Sequence, residues 1–301
     1  MRTNRHIANI LALTALISSV SCQHKDLCYD HPHDGRLQVV FDWATLPESV
    51  EENMELFLFP VGGGPHLHYQ FYDIHGGYID VPSGVYKAIC ANTGTGANRF
   101  DAPSDNFNEF MVTTRALIKA EDTILEPDIL YSDHINDDIR IISGTNQTLV
   151  MHPAQRTPRY TVLVNNVRNL NGAKSCTATL TKLSCSYLAA NDEPVDDSHS
   201  ESFEMARAGE TSIAGTVTIF GHRHSECQEH ILTLHFALQN REVLNCTVDI
   251  SDRMKELVRE GRMSGEIIID LDIELPKPIS NGSGFQPTVD DWEGEEIDVS
   301  I

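Results

Sequence analysis

The chain has no Cys-x-x-Cys pair, so neither a zinc ribbon nor a thioredoxin-type dithiol is indicated. It also lacks a Gly-x-Ser-x-Gly elbow, a His-Glu-x-x-His motif and a phosphate-cradling glycine loop, the signatures of serine hydrolases, zincins and nucleotide binders. Carboxylates are plentiful, yet nothing singles out a glycosidase pair such as Glu109 with Asp133. No enzymatic activity, cofactor or metal is therefore expected. Basic residues are few: 22 Lys and Arg stand against 44 Asp and Glu, a formal net charge of −22. Such acidity disfavours nucleic acid and bare anionic lipid as partners and suits solubility outside a cell. No apolar run reaches the ~20 residues that span a bilayer.

The longest apolar run comes at the start. Two arginines, Arg2 and Arg5, precede residues 7–20, where Asn9, Thr14, Ser18 and Ser19 are the non-apolar members. A basic segment followed by a short apolar segment reads as a secretory signal over residues 1–21. Small residues (Ser18, Ser19, Ser21) then lead to Cys22, an arrangement that resembles the lipobox of bacterial lipoproteins. Ser19 departs from that pattern, which favours Leu at this place. The expectation is lipidation of Cys22 and attachment to a lipid bilayer through its acyl chains. Two or three chains make release slow, whereas one binds marginally. The competing reading is an ordinary signal peptide whose first mature residue is a cysteine.

Seven cysteines are present: Cys22, Cys28, Cys90, Cys176, Cys185, Cys227 and Cys246. Assigning Cys22 to lipid leaves an even number in an oxidising compartment. Connectivity is not readable from spacing. Cys28 and Cys90 flank strand-like segments that could lie side by side, and they are the expected pair. Free buried thiols are the alternative for the others.

Residues 22–35 read as a lipidated polar stalk. Beyond them, short apolar or alternating runs with turn residues every 8–12 positions mark a sandwich or barrel. Strands are expected at 36–43, 55–60, 68–72, 78–81, 84–92, 106–113 and 140–143 in the first half. In the second half they are expected at 147–151, 159–167, 176–183, 211–220, 231–238, 243–250 and 265–275, with alternation over the last five residues. Residues 93–105 and 189–201 read as loops. One helix is expected at 251–260, started by Ser251 and Asp252, with Met254, Leu257 and Val258 on its apolar face and Gly261 at its end. The pattern is all-β: two tandem β-sandwiches of immunoglobulin-like type, at 36–150 and 151–301, with one short helix in the second.

Three histidine pairs are spaced i, i+2: His31/His33, His66/His68 and His222/His224. On a strand this spacing puts both rings on one face, as a metal site can require. Solvated surface is the better reading of each. The acidic run around Trp292 lacks the oxygen spacing of a calcium loop. Trp43 with Phe57, Phe59, Tyr69, Phe71 and Tyr72 could form a sugar platform, but their alternation with other apolar residues points to core.

Several of these pieces occur together in one known family. Residues 25–33 (KDLCYDHPH) lead into Val39-Val40-Phe41-Asp42-Trp43. Leu56-Phe57-Leu58-Phe59-Pro60 and a glycine-rich turn follow, then Val81-Pro82-Ser83-Gly84-Val85-Tyr86 on the way to Cys90. The end carries Gly284-Phe285-Gln286-Pro287-Thr288-Val289-Asp290-Asp291-Trp292. Over residues 22–301 the chain resembles the fimbrillin-like surface lipoproteins of Bacteroidota, in a branch similar to the anchor subunits of type V pili.

The charged stretch after Cys22, with no Asp directly behind it, likewise resembles surface-export signals of such lipoproteins. The resemblance implies two transthyretin-like sandwiches, a lipid anchor in the outer membrane, and a structural role in fimbria assembly or cell adhesion. It also implies pilin subunits as partners, joined by strand addition at an open sheet edge. Residues 289–301 occupy the position of the lent strand. In that family shaft subunits lose an N-terminal strand to an arginine-specific protease. Here Arg36 is the one arginine between Cys22 and the first strand, and it begins that strand, which favours anchor over shaft. A stand-alone surface lipoprotein that binds glycan or host matrix is the alternative.

Overall fold

A computed structural model describes residues 34–43, 53–92, 96–102, 105–114, 116–117, 120–195, 198–221, 229–277 and 295–298. The first half holds β1 (Asp34–Phe41), β2 (Met54–Pro60), β3 (Leu67–Phe71), β4 (Gly76–Pro82), β5 (Gly84–Asn92), β6 (Asn98–Ala102), β7 (Met111–Thr114), β8 (Ala116–Leu117), β9 (Ala120–Ile124), β10 (Tyr131–Ile141) and β11 (Asn146–Met151). The second holds β12 (Ala154–Gln155), β13 (Arg159–Arg168), β14 (Ala173–Leu183), β15 (Ser186–Leu188), β16 (Glu193–Pro194), β17 (His199–Arg207), β18 (Ile213–Thr218), β19 (Ile231–Leu238), β20 (Val243–Asp249), helix α1 (Ser251–Arg259), β21 (Ser264–Glu274) and β22 (Glu295–Asp298). The expected all-β architecture is what the chain adopts, and α1 is the one α-helix among the described residues.

Alternation builds the first body. In β1, Leu37, Val39 and Phe41 are buried while Asp34 and Arg36 are exposed. The strand runs between β11, in parallel, and β4, antiparallel. This three-stranded layer faces a five-stranded sheet of order β12-β10-β5-β2-β3. Between the layers lie Leu37, Val39, Phe41, Leu56, Leu58, Ala88, Cys90 and Met151. β2 is buried on both faces, because its Phe57 and Phe59 point away from this core into a second aromatic cluster. Gly76 is obligatory: its φ is 104°, and an added Cβ would stand 2.1 Å from the Val39 carbonyl oxygen.

The second body has its own core, from Tyr160 through Phe236 to Leu275. β13, β14, β19 and β21 alternate buried aliphatics with exposed or half-buried polar residues. The sheet order is β21-β13-β18-β17-β14-β19-β20-β22, with β9 also paired to β17. Helix α1 packs Met254 and Leu257 into this core. Gly261, at φ 63°, ends it as expected. It starts at Ser251 with Asp252 in its first turn, as expected, and the Asp249 carboxylate, two residues earlier, accepts the Ser251 N–H at 2.8 Å. The Ser251 hydroxyl first, and then that backbone contact, hold the Asp249 carboxyl below its ordinary range.

Three departures have local causes. The expected strand at 106–113 begins instead with a 3-10 turn, Phe107–Glu109, capped by the Asn106 side chain, and β7 starts only at Met111. The polar run 131–139 is strand all the same, since β10 pairs β5 with a bulge between Ile135 and Ile139. Residues 199–201, read as loop, open β17.

Candidate functional site

A protein whose expected work is mechanical has its site where force would enter, cross and leave. Entry is at the N-terminus. Cys22 and Cys28 lie outside the described residues, as do His31/His33. Described structure begins at β1, which is held on both sides. The Arg36 N–H donates to the Thr145 carbonyl at 2.9 Å, and its guanidinium lies 5.0 Å over the Tyr78 ring. Removing β1 would separate β4 from β11 and take Leu37, Val39 and Phe41 out of the core.

Force would cross at the junction of the two bodies, where strands pair across the chain's midpoint. β15 pairs with β7 through Ser186–Thr113, Tyr187–Val112 and Leu188–Met111. β9 pairs in parallel with β17. The turn after β15 sinks Ala189 and Ala190 into the cluster of Phe57, Phe59, Phe107 and Phe110. The Ala189 N–H donates to the Phe110 carbonyl at 3.1 Å. A second seam joins Ala91, Val112 and Leu130 to Tyr187 and Phe220.

A polar knot closes this junction. Asp192, at a left-handed φ of 55°, receives Arg156 Nη1 at 3.1 Å and the Tyr187 hydroxyl at 3.5 Å. His134 Nδ1 stands 3.7 Å from the same carboxylate. Arg156 Nε donates to the Ser132 carbonyl at 3.1 Å. Burial first, then the Asp192 charge, pushes the Tyr187 phenol up from its ordinary value. Nothing in the sequence marked this knot, because its members come from β10, the linker and the β15–β16 turn.

Force would leave through the tail. Residues 295–298 form β22, parallel to β20, with Leu244–Glu295, Asn245–Glu296, Cys246–Ile297 and Thr247–Asp298 in register. The expected donor segment 289–301 thus has its described part on an outer strand of the chain's own large sheet. The opposite edge is β21, whose outward row is Glu266, Ile268, Asp270, Asp272 and Glu274. A row this acidic discourages pairing with another acidic chain.

The remaining sequence candidates have ordinary surroundings. Cys90 sits on β5, fully buried, and burial pushes its thiol well above the ordinary range. No disulfide joins any two of the described cysteines Cys90, Cys176, Cys185 and Cys246. His66 and His68 each meet a carboxylate: His66 Nδ1 is 3.1 Å from Asp105, and His68 Nε2 is 2.8 Å from Glu55. His68 also stacks on Phe57, 4.6 Å between centroids. His222/His224 and Trp292 lie outside the described residues. Asp133 accepts the His152 N–H at 2.7 Å, while Glu109 lies on the 3-10 turn. Trp43 donates to the Ile74 carbonyl and meets Tyr131 edge-on. Phe57, Phe59 and Phe71 are buried; of the proposed sugar platform Tyr72 alone stands well out, at 80% exposure.

Known proteins share this architecture. One family model, described as a domain of unknown function (DUF5119), matches residues 21–204, more than half the chain. A Bacteroides ovatus protein, a candidate fimbrium anchoring subunit called Fim4B, is 21% identical over 340 residues, covering 100% of this chain and 99% of that one. The crystal structure of a candidate adhesin from B. ovatus aligns with a TM-score of 0.67 at 21% identity, over 86% of this chain and 98% of its own. A candidate polysaccharide-binding protein from B. thetaiotaomicron aligns at 0.55 and 12% identity, over 78% and 90%. At these identities the two crystal structures establish the fold.

Proposed function

This chain belongs to the DUF5119 family, and we propose that it is a cell-surface lipoprotein that anchors or accompanies a fimbria, in a structural rather than a catalytic role. The observation that carries this reading is the end-to-end match to a candidate fimbrium anchoring subunit, 100% of one chain against 99% of the other. Lipid on Cys22 holds one end in the outer membrane. The two bodies, fastened by strand pairing and the Asp192 knot, carry tension outward. Residues 289–301 engage a pilin subunit by joining its sheet.

Two features fit an anchor better than a shaft subunit. β1 is flanked on both sides and Arg36 lies inside it, so a cut at Arg36 would divide a paired inner strand rather than release a whole one. Residues 295–298 pair with β20, and lending them exchanges one set of strand hydrogen bonds for another. Each such bond is worth only about 0.5–1.5 kcal/mol net, so the exchange is close to balanced. Cys28 and Cys90 remain the proposed disulfide of the first body.

Replacing Cys22 with Ser should move the protein from the membrane fraction to the soluble fraction of fractionated cells. A Cys22→Ser protein that stays with membranes would refute the lipid tether. Deleting residues 289–301 should abolish co-purification of a pilin subunit while the protein stays folded and membrane-bound. Undiminished co-purification would rule out strand lending by the tail.

A further inference from the structure

A groove of about 730 Å³ opens beside the aromatic cluster of the first body, between the β2–β3 turn and residues 105–108. We propose that it is a binding site for an uncharged glycan chain. The site is separate from the tether and the tail, and stands or falls independently of the anchoring role.

The volume lies within the roughly 300–1,000 Å³ typical of ligand sites. One wall is the β2–β3 turn. Gly63 and Gly64 there have φ of 84° and 110°, and nothing lies within 4 Å of a Cβ built on either. Backbone on this side is therefore open to close approach by a ligand. Val61 and Pro65 add apolar surface, and Val61 is 49% exposed despite its character. The facing wall carries Asp105 and Asn108, both exposed. Lys87 rises between the walls, its ammonium 5.1 Å over the Phe107 ring.

These polar groups are held in place rather than left to wander. One oxygen of Asp105 takes both the backbone N–H and the ring Nδ1 of His66, each at 3.1 Å. The Asn108 N–H donates to the Asn106 side chain, which fixes the backbone that carries the exposed Asn108. Lys87 is steadied by the Asn136 side chain. A preset carboxylate and ammonium beside an exposed carboxamide suit pairs of hydroxyl groups, and the Pro and Val surface suits the C–H faces of sugar rings.

Charge decides between ligand classes. The chain carries a formal −22, yet the groove is lined by one cation, Lys87, and one anion, Asp105. A basic peptide would find more acidic ground elsewhere, for instance the outward row of β21. An anionic polymer would meet the field of the whole chain. The lining has no exposed Trp, Tyr or Arg of the kind that anchors protein partners. A neutral, hydroxyl-rich chain remains as the occupant that the balance favours.

The full chain, in a detergent without a sugar headgroup, would be titrated calorimetrically with maltohexaose, xylohexaose, laminarihexaose and mannohexaose. A heparin oligosaccharide and decalysine serve as charged comparators. At least one neutral hexasaccharide should bind with a Kd below about 1 mM. Asn108→Ala and Lys87→Met should each weaken it about tenfold, while Ile268→Ala on β21 leaves it unchanged. Asn108 is exposed, so its loss does not threaten the fold. Binding by none of the four, binding that survives both variants, or tighter binding of heparin or decalysine would each overturn the proposal.

Discussion

Replacing Glu201 with Gln should stabilise the protein, and should do so more at about pH 8 than at about pH 5. Glu201 lies on β17 with no exposed surface, and neither of its carboxyl oxygens has a hydrogen-bond partner. Desolvation first, then repulsion from Glu126, raises its pKa from 4.5 to about 9. The unfolded chain releases this proton near the ordinary value, while the folded chain keeps it. Stability is therefore fully present below the unfolded pKa and is lost as pH rises from about 4.5 to about 9. At roughly 1.4 kcal/mol per pH unit, the loss at pH 8 is on the order of 3–5 kcal/mol. Gln has nearly the same shape and no proton to hold against water, so it removes the pH-dependent part. Urea unfolding of both proteins from about pH 5 to about pH 8 reads this directly. A difference between variant and parent that stays flat across that range would refute the assignment. Taking the difference cancels the contribution of the other carboxylates.

Glu201 also explains why part of the fold was hidden in the sequence. Strands whose inward positions are all apolar were readable: β13 shows Tyr160, Val162 and Val164 at alternate places, and β19 shows Leu232, Leu234, Phe236 and Leu238. β17 obeys the same rule through Phe203 and Met205, but its next inward position is Glu201, so the alternation breaks and 199–201 read as acidic loop. β10 was obscured differently. It crosses the sheet edge-to-edge with Asp133, Asp137 and Asp138 among half-buried or exposed positions, and pairing with β5 rather than side-chain hydrophobicity holds it. Periodicity reports on buried faces and is silent where the backbone ladder does the holding.

The functional features divide along the same line. The Cys22 expectation rests on a local pattern, a short apolar run followed by one residue, and so calls on no tertiary knowledge. The helix was legible because Met254, Leu257 and Gly261 are spaced within one element. The polar knot was not, since Arg156, Asp192 and His134 are brought together only by folding. The tail's alternation suggested a strand. Its place on β20 could not have been inferred, because residues 295–298 carry no mark of which edge they pair with.

Phe110→Ala should lower stability by about 3–5 kcal/mol, the usual loss for a fully buried Phe, and should also loosen the junction between the bodies. Phe110 has no exposed surface. Its ring centroid lies 4.6 Å from that of Phe57 and 5.5 Å from that of Phe59, and its carbonyl receives the Ala189 N–H from the other body. Removing the ring leaves Ala189 and Ala190 facing a cavity rather than a wall. Leu234→Ala supplies the comparison: it is equally buried, but within the second core. Both variants should melt several degrees lower, by roughly 2–4 °C per kcal/mol for a chain of this size. Only Phe110→Ala should broaden the distribution of distances between spin labels placed one on each body. An unbroadened distribution, or a loss below about 1 kcal/mol, would mean that the aromatic cluster does not fasten the bodies. Tension would then have to cross through β7–β15, β9–β17, the Tyr187–Phe220 seam and the Asp192 knot.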